Sequence, residues 1–100
     1  MRRGEVWTAT RGGHERLVVV VGHDAVTAAR DGVLVVPISD VRAATLIEPA
    51  LVDDAGQPLG VAMTPRVGEI TKAYLTARRA VLDAASAESL DIALRAVLDL

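Results

Sequence analysis

The sequence predicts a mainly β fold in which a small curled sheet or barrel carries one C-terminal helix. Short runs rich in Val, Leu and Ile recur between residues 5 and 82, and Gly, Pro and Asp separate them. Such runs are typical of β-strands joined by tight turns. From Ser86 onward the apolar residues recur every three or four positions, which is the period of an amphipathic helix. A chain of this length is expected to form one domain, residues 1–100.

The turn residues set the limits of the predicted strands. Gly12 and Gly13 lie in a predicted loop at residues 10–15, because adjacent glycines free the backbone. Residues 25–30 are expected to form a short helical turn, and Asp-Asp-Ala-Gly at 53–56 a tight turn. The predicted strands are residues 5–9, 17–21, 33–38, 45–51, 59–63, 67–71 and 79–82.

Two of these strands are continuous apolar runs rather than alternating ones. Residues 17–21 read Leu-Val-Val-Val-Val and residues 33–38 read Val-Leu-Val-Val-Pro-Ile. Continuous runs predict strands that are buried on both faces. Pro37 cannot donate a hydrogen bond to a neighbouring strand, so we expect it at a sheet edge or at the end of its strand.

The C-terminal helix is predicted to begin at Ser86, an N-cap candidate, with Glu88 in its first turn. Its core-facing stripe consists of Leu90, Leu94, Val97 and Leu98. The chain has no Phe, one Trp and one Tyr, so the core must be built from aliphatic side chains. We expect Trp7 in the core or at a dimer interface. So many aliphatic residues in a small chain also favour burial against a second copy, and we expect a homodimer.

Composition limits the classes of function. The net charge is −2, so any contact with nucleic acid is expected in a local cleft rather than on a broad basic face. The absence of Cys excludes thiolate catalysis and fits a reducing, cytoplasmic location. No apolar run approaches the ~20 residues that span a bilayer, and the start lacks the apolar segment of a signal peptide. We therefore expect a cytoplasmic protein with no membrane partner.

Several catalytic motifs are missing. Gly12-Gly13 lacks the downstream Lys of a phosphate-binding loop. His14 and His23 lie nine residues apart with a predicted strand between them, which is not a metal-binding spacing. No Gly-x-Ser-x-Gly sequence is present. We therefore expect no metal and no cofactor, and the remaining chemistry is that of Arg, Ser, His and Glu.

A lone cation and a lone hydroxyl stand at the ends of the two continuous strands. Arg16 precedes the first and Ser39 follows the second, so the two could lie side by side in a sheet. A guanidinium is permanently charged, and its planar fork suits phosphate. The simpler alternative is that Arg16 is a surface cation and that Ser39 bonds its own backbone.

These residues carry a family resemblance. With Arg3-Gly4-Glu5-Val6-Trp7 at the start and Val36-Pro37-Ile38-Ser39 later, the chain resembles the MazF/PemK toxin ribonucleases. Residues 66–72 and the closing helix extend the resemblance over nearly the whole chain. It implies an SH3-like small barrel of the CcdB/MazF type, a homodimer, and a cognate antitoxin that holds the toxin inactive. It also implies metal-independent cleavage of single-stranded RNA to a 2′,3′-cyclic phosphate.

The resemblance also implies roles for individual residues. By position, the catalytic pair of the family falls on Arg16 and Ser39. Because arginine is a poor general base, we expect a base from elsewhere and rank His14 first, since imidazole titrates near neutrality. Glu15 and Glu69 are the other candidates for the base. The expected substrate-binding residues are Glu15, Arg66 and Glu69.

The chain also differs from the family pattern. Leu17 stands where the family usually has Pro, the loop at 10–15 is shorter, and Arg66 and Gly68 replace a Gln and an Arg. An alternative function therefore stays open, a non-catalytic MazF/CcdB-like module that captures an antitoxin or another protein. The ending Val97-Leu98-Asp99-Leu100 lacks the Trp-Gly-Ile of gyrase-directed CcdB toxins.

Overall fold

The computed structural model describes residues 1–99, and in this range it contains seven strands and two α-helices. The strands are β1 (Glu5–Arg11), β2 (His14–Val20), β3 (Gly32–Ser39), β4 (Ala50–Val52), β5 (Pro58–Ala62), β6 (Gly68–Thr71) and β7 (Leu75–Val81). The helices are α1 (Asp24–Ala29) and α2 (Ala84–Leu98). Short 3-10 turns at Thr64–Arg66 and Lys72–Tyr74 flank β6. Neither α1 nor α2 is long and apolar enough to cross a bilayer.

The strands form one antiparallel sheet that curls round on itself. Its order is β4-β5-β3-β2-β1-β7, and β6 also pairs with β3. A bridge between Asp53 and Leu82 joins the two ends of this path, and the Asp83 amide donates to the Val52 carbonyl at 3.0 Å. This curled sheet with a C-terminal helix confirms the predicted fold class.

The continuous strands are buried on both faces, as predicted. From Leu17 to Val20 in β2, and in most of β3, alternate side chains enter two different apolar clusters, so these runs do not alternate with polar residues. Leu34 is the exception and is 42% exposed. The first cluster, which α2 covers, contains Val6, Val19, Val21, Val36, Ile38, Leu51, Ala62, Leu82, Leu90 and Leu94. The second contains Val18, Val20, Val33, Val35 and Leu75, with Trp7 and Ile70 packed against it.

Pro37 lies inside a central strand, so the prediction of a sheet edge is wrong. β6 pairs with β3 only as far as Val35, and β5 pairs with it from Ile38 onward. Pro37 falls between these two partners, where β3 needs no amide donor. Its carbonyl still accepts a hydrogen bond from the Met63 amide at 2.8 Å.

The predicted loop at 10–15 is instead a continuous hairpin. Gly12 and Gly13 take φ values of +58° and +81° and form a two-residue turn. Pairing of β1 with β2 therefore continues to Arg11 opposite His14.

The predicted strand at 45–51 is also wrong, apart from its end in β4. Thr45 and Glu48 hydrogen-bond to each other twice, through Thr45 N to Glu48 O at 2.9 Å and Glu48 N to Thr45 Oγ1 at 3.0 Å. Arg42 pairs with the Glu48 carboxylate at 2.7 Å. These local bonds fold the segment before β4 into a turn and keep it out of the sheet.

Helix α2 begins earlier than predicted, because Asp83 and not Ser86 is its N-cap. The Asp83 carboxylate accepts from the Ser86 amide at 2.7 Å. The Ser86 hydroxyl instead accepts from the Val52 amide at 2.8 Å and is buried. Of the predicted apolar stripe, Leu90 and Leu94 are buried, whereas Leu98 is half exposed.

Candidate functional site

The antiparallel register of β2 and β3 determines where Arg16 and Ser39 lie. The ladder ends at the pair Val18 and Pro37, and Arg16 and Ser39 each lie two residues beyond this pair at the same end of the two strands. Both residues line one open cavity of about 550 Å³, which we call the serine cavity. Its lining residues are Glu15, Arg16, Leu17, Ile38, Ser39, Asp40, Val41, Arg42, Leu59, Met63 and Arg66.

Ser39 is held by the backbone that follows it. Its Oγ accepts hydrogen bonds from the amides of Val41 and Arg42, each at 3.2 Å. The simpler alternative from the sequence is therefore correct for the oxygen of this hydroxyl. A hydroxyl can accept twice and still donate its own hydrogen, so Ser39 keeps one donor for a ligand.

Gly60 brings β5 close to Ser39 from the other side. Its φ is +123°, a conformation that L side chains rarely adopt, and a Cβ at this position would lie 2.4 Å from the Ser39 carbonyl oxygen. Glycine within a strand often marks such a close approach, and this is the signal by which the sequence could have identified it. Gly60 therefore has a positioning role that the sequence analysis missed.

The cations of the serine cavity differ in how they are held. Within residues 1–99, no hydrogen bond or ion pair engages the guanidinium of Arg16 or Arg66, and both side chains are exposed. Arg42 is held by Glu48. Leu17, next to Arg16, packs against the first apolar cluster and anchors the backbone there. Arg16 and Arg66 thus keep their full set of donors for an anion.

A second cavity of about 510 Å³ adjoins the first, and we call it the tyrosine cavity. It shares Glu15, Arg16 and Arg66 with the serine cavity. Its lining residues are Ala9, Arg11, His14, Glu15, Arg16, Val18, Val35, Pro37, Arg66, Gly68, Glu69, Ile70 and Tyr74.

The structure divides the six predicted site residues between the two cavities. Ser39 lines only the serine cavity, and Arg16, Glu15 and Arg66 line both. His14 lies two residues before Arg16 on the same side of β2 and lines the tyrosine cavity. Arg16 therefore lines both the cavity that contains the Ser39 hydroxyl and the cavity that contains the His14 imidazole.

Glu69 also lines the tyrosine cavity, but its carboxylate is engaged elsewhere. It accepts from Arg30 Nε at 2.9 Å and from a terminal guanidinium nitrogen at 3.1 Å. This hydrogen-bonded pair raises the pKa of Arg30 and compensates the charge of Glu69. Both oxygens of the Glu69 carboxylate are therefore already engaged by Arg30.

Glu5, in the sequence Gly-Glu-Val-Trp, anchors structure away from the two cavities. Its carboxylate accepts from the Arg2 amide at 2.9 Å, from Trp7 Nε1 at 3.2 Å and from Arg78 at 3.1 Å. Burial alone would raise the pKa of Glu5, but these hydrogen bonds and the Met1 ammonium lower it below its usual value. Trp7 thus packs at the core with its indole N–H satisfied, as expected for a structural residue.

Comparison with known families identifies the family of this chain. Residues 2–98 match the family described as PemK-like, MazF-like toxins of type II toxin–antitoxin systems. The chain belongs to this family. The sequence resemblance to MazF/PemK toxins is therefore confirmed. No curated protein matches the chain significantly.

Solved structures of MazF-type toxins share the fold of this PemK/MazF-like chain. An endoribonuclease from a mycobacterial species, in complex with its cognate antitoxin, superposes with a TM-score of 0.89 at 18% identity and covers 100% of this chain and 96% of that one. MazF in a MazE–MazF structure from Deinococcus radiodurans gives a TM-score of 0.85 at 15% identity, with coverages of 100% and 96%. Mycobacterium tuberculosis toxin MazF-mt6 superposes with a TM-score of 0.80 at 21% identity, and the match covers 96% of this chain and 97% of that one.

Proposed function

We propose that this PemK/MazF-like toxin is a metal-independent endoribonuclease that cleaves single-stranded RNA. The observation that carries the proposal is the convergence of Arg16 and Ser39, from paired strands, on one open cavity. Arg66 adds a second exposed guanidinium at the same place. Two cations and a hydroxyl donor around one cavity suit a phosphodiester anion.

In the proposed reaction the 2′-oxygen of RNA forms a bond to the adjacent phosphorus while the bond from phosphorus to the 5′-oxygen breaks. The products are a 2′,3′-cyclic phosphate and a 5′-hydroxyl end. Arg16 stabilises the negative charge that builds on the phosphoryl oxygens, and Ser39 donates a hydrogen bond to one of them. His14 takes the proton of the 2′-hydroxyl, and a protonated group or water supplies the proton for the 5′-oxygen.

The proposal includes a cognate antitoxin, a homodimer and a cytoplasmic location. Exposed apolar side chains beside the serine cavity support a protein partner. Val41, which lines the cavity, is 87% exposed, and Leu46 in the following turn is 95% exposed. Burial of large exposed apolar side chains against a partner is favourable, because it removes their surface from water.

The direct test is RNA cleavage in the presence of EDTA. Purified protein is incubated with a long unstructured RNA, and new 5′-hydroxyl ends are mapped by primer extension. We expect discrete cuts with wild type, none with Arg16→Ala, and unchanged cuts with Arg95→Ala. Arg95 is a matched control because it is also exposed, but lies on α2 and lines neither cavity.

Absence of cuts at high concentrations of wild-type protein would overturn the ribonuclease proposal. Binding of the antitoxin by such an inactive protein would then favour the alternative of a non-catalytic binding module. Equal cutting by wild type and Arg16→Ala would support the ribonuclease activity but would reject the catalytic role of Arg16.

A further inference from the structure

The lining of the tyrosine cavity is more apolar than that of the serine cavity, although the two share Glu15, Arg16 and Arg66. Apolar residues line much of it, namely Ala9, Val18, Val35, Pro37 and Ile70. One aromatic ring, that of Tyr74, lies at its edge together with the side chain of Arg11. A mainly apolar cavity of about 510 Å³ with a few polar groups at its rim has the usual dimensions of a small-ligand site.

Arg11 and Tyr74 form a cation–π pair in this cavity. The central guanidinium carbon of Arg11 lies 5.2 Å from the centre of the Tyr74 ring, which is a cation–π contact. The two-residue Gly12–Gly13 turn fixes Arg11 at the end of β1, and Tyr74 closes the 3-10 turn before β7. The Tyr74 ring thus contacts a planar cation at this cavity.

The charge of the rim suits an anionic chain. Arg11, Arg16 and Arg66 contribute three guanidinium groups, and none has a carboxylate partner within residues 1–99. The rim carboxylates are Glu15 and Glu69, and Arg30 compensates the charge of Glu69. A ligand that fits must therefore carry negative charge beside a flat, largely apolar group.

We propose that the tyrosine cavity is a nucleobase subsite in which a base stacks on the guanidinium plane of Arg11, with Tyr74 ordering that plane. The proposal rests on the proposed function, because it places the base next to the phosphate at Arg16. Stacking on arginine planes and aromatic rings is a common way in which proteins bind unpaired bases. Arg11 is then a specificity-determining residue, and Tyr74 a positioning residue.

The test measures binding, so it does not depend on cleavage. Fluorescent pentadeoxynucleotides lack the 2′-hydroxyl nucleophile and cannot be cut by the proposed reaction. Single-base pentamers of T, A and C are compared with a pentamer of abasic sites that has the same phosphates and charge. We expect at least one base-bearing pentamer to bind wild type about tenfold more tightly than the abasic pentamer.

Arg11→Lys keeps the charge and removes the plane. We expect it to abolish most of the tenfold preference and to leave the affinity for the abasic pentamer within about twofold. Tyr74→Phe, which keeps the ring, should retain the preference, and Tyr74→Leu should reduce it. Arg95→Lys on α2 is the matched control and should behave as wild type.

Equal affinity of wild type for every pentamer would overturn the subsite, even if the protein cuts RNA. An equal loss of affinity for abasic and base-bearing pentamers in Arg11→Lys would make Arg11 a phosphate contact and would also overturn it. No binding of any pentamer would likewise overturn the subsite. A base preference without RNA cleavage would support the subsite and reject the ribonuclease proposal.

Discussion

Gly60 allows β5 to pass close to the backbone of Ser39. It lies where the chain passes so close to the Ser39 carbonyl that a side chain would overlap it. We expect Gly60→Ala to lower the free energy of unfolding by about 1–3 kcal/mol, because both the positive φ and the contact oppose a Cβ. Urea denaturation measures this loss, and RNA cleavage should fall with it because Ser39 is displaced.

Gly56→Ala is the matched control for this prediction. Gly56 also has a positive φ, of +83°, but a Cβ there would meet no atom within 4 Å. Gly56→Ala should therefore lower the free energy of unfolding less than Gly60→Ala does, and it should leave RNA cleavage unchanged. Equal effects of the two substitutions would mean that backbone strain alone, and not the approach to Ser39, explains the role of Gly60.

Some residues of the site could be identified from the sequence, and others could not. Arg16 and Ser39 stand out because each is a polar residue at the end of an apolar run. Arg11 and Tyr74 are 63 positions apart, and only the pairing of β1 with β7 brings their segments together. No local pattern marks such a pair, so the sequence alone does not predict an aromatic contact near the catalytic candidates.

At the scale of elements, local hydrogen bonds explain where prediction and structure differ. The strands with continuous Val runs were predictable because burial on both faces leaves no alternation. The hairpin turn was predicted as a loop, because glycine shows only that the backbone is free and not which turn it forms. The start of α2 was misplaced because Asp83 and Ser86 are both residue types that favour the N-cap position. In the structure Asp83 caps the helix, and the Ser86 hydroxyl accepts a hydrogen bond from the Val52 amide of β4.

The capping assignment of α2 leads to a prediction. Asp83→Ala removes the acceptor of the Ser86 amide, and we expect the protein to lose about 1 kcal/mol of stability. Asp83→Asn keeps an acceptor oxygen and should lose less. Equilibrium unfolding followed by circular dichroism measures both. Stability of Asp83→Ala equal to that of wild type would contradict the assignment of the cap.

At the scale of the whole molecule, Glu5 links the N-terminus, β1 and β7 through one carboxylate. The pKa of Glu5 is lower in the folded protein than its ordinary value of 4.5, so the charged form stabilises the fold. This contribution is complete above about pH 4.5 and is lost as the pH falls through the lower, folded-state pKa. Acid should therefore weaken the attachment of β7 to β1.

Glu5→Gln isolates this contribution. Near pH 7 we expect the variant to be less stable than wild type, and the difference in unfolding free energy should shrink as the pH falls below about 4.5. Urea unfolding of both proteins from pH 3 to pH 7 measures it. A difference that stays constant over this range would show that the charge of Glu5 contributes nothing.

In the proposed reaction Arg16 and Ser39 act on the same phosphate. The most direct measurement is the single-turnover rate at one mapped RNA site for wild type, Arg16→Gln, Ser39→Ala and the double variant. We predict that Arg16→Gln lowers the rate by about 100- to 1000-fold, and that the double variant loses less than the product of the single losses. A rate for Arg16→Gln within twofold of the wild-type rate would contradict a shared action on the phosphate. A rate loss in the double variant equal to the product of the two single losses would also contradict it.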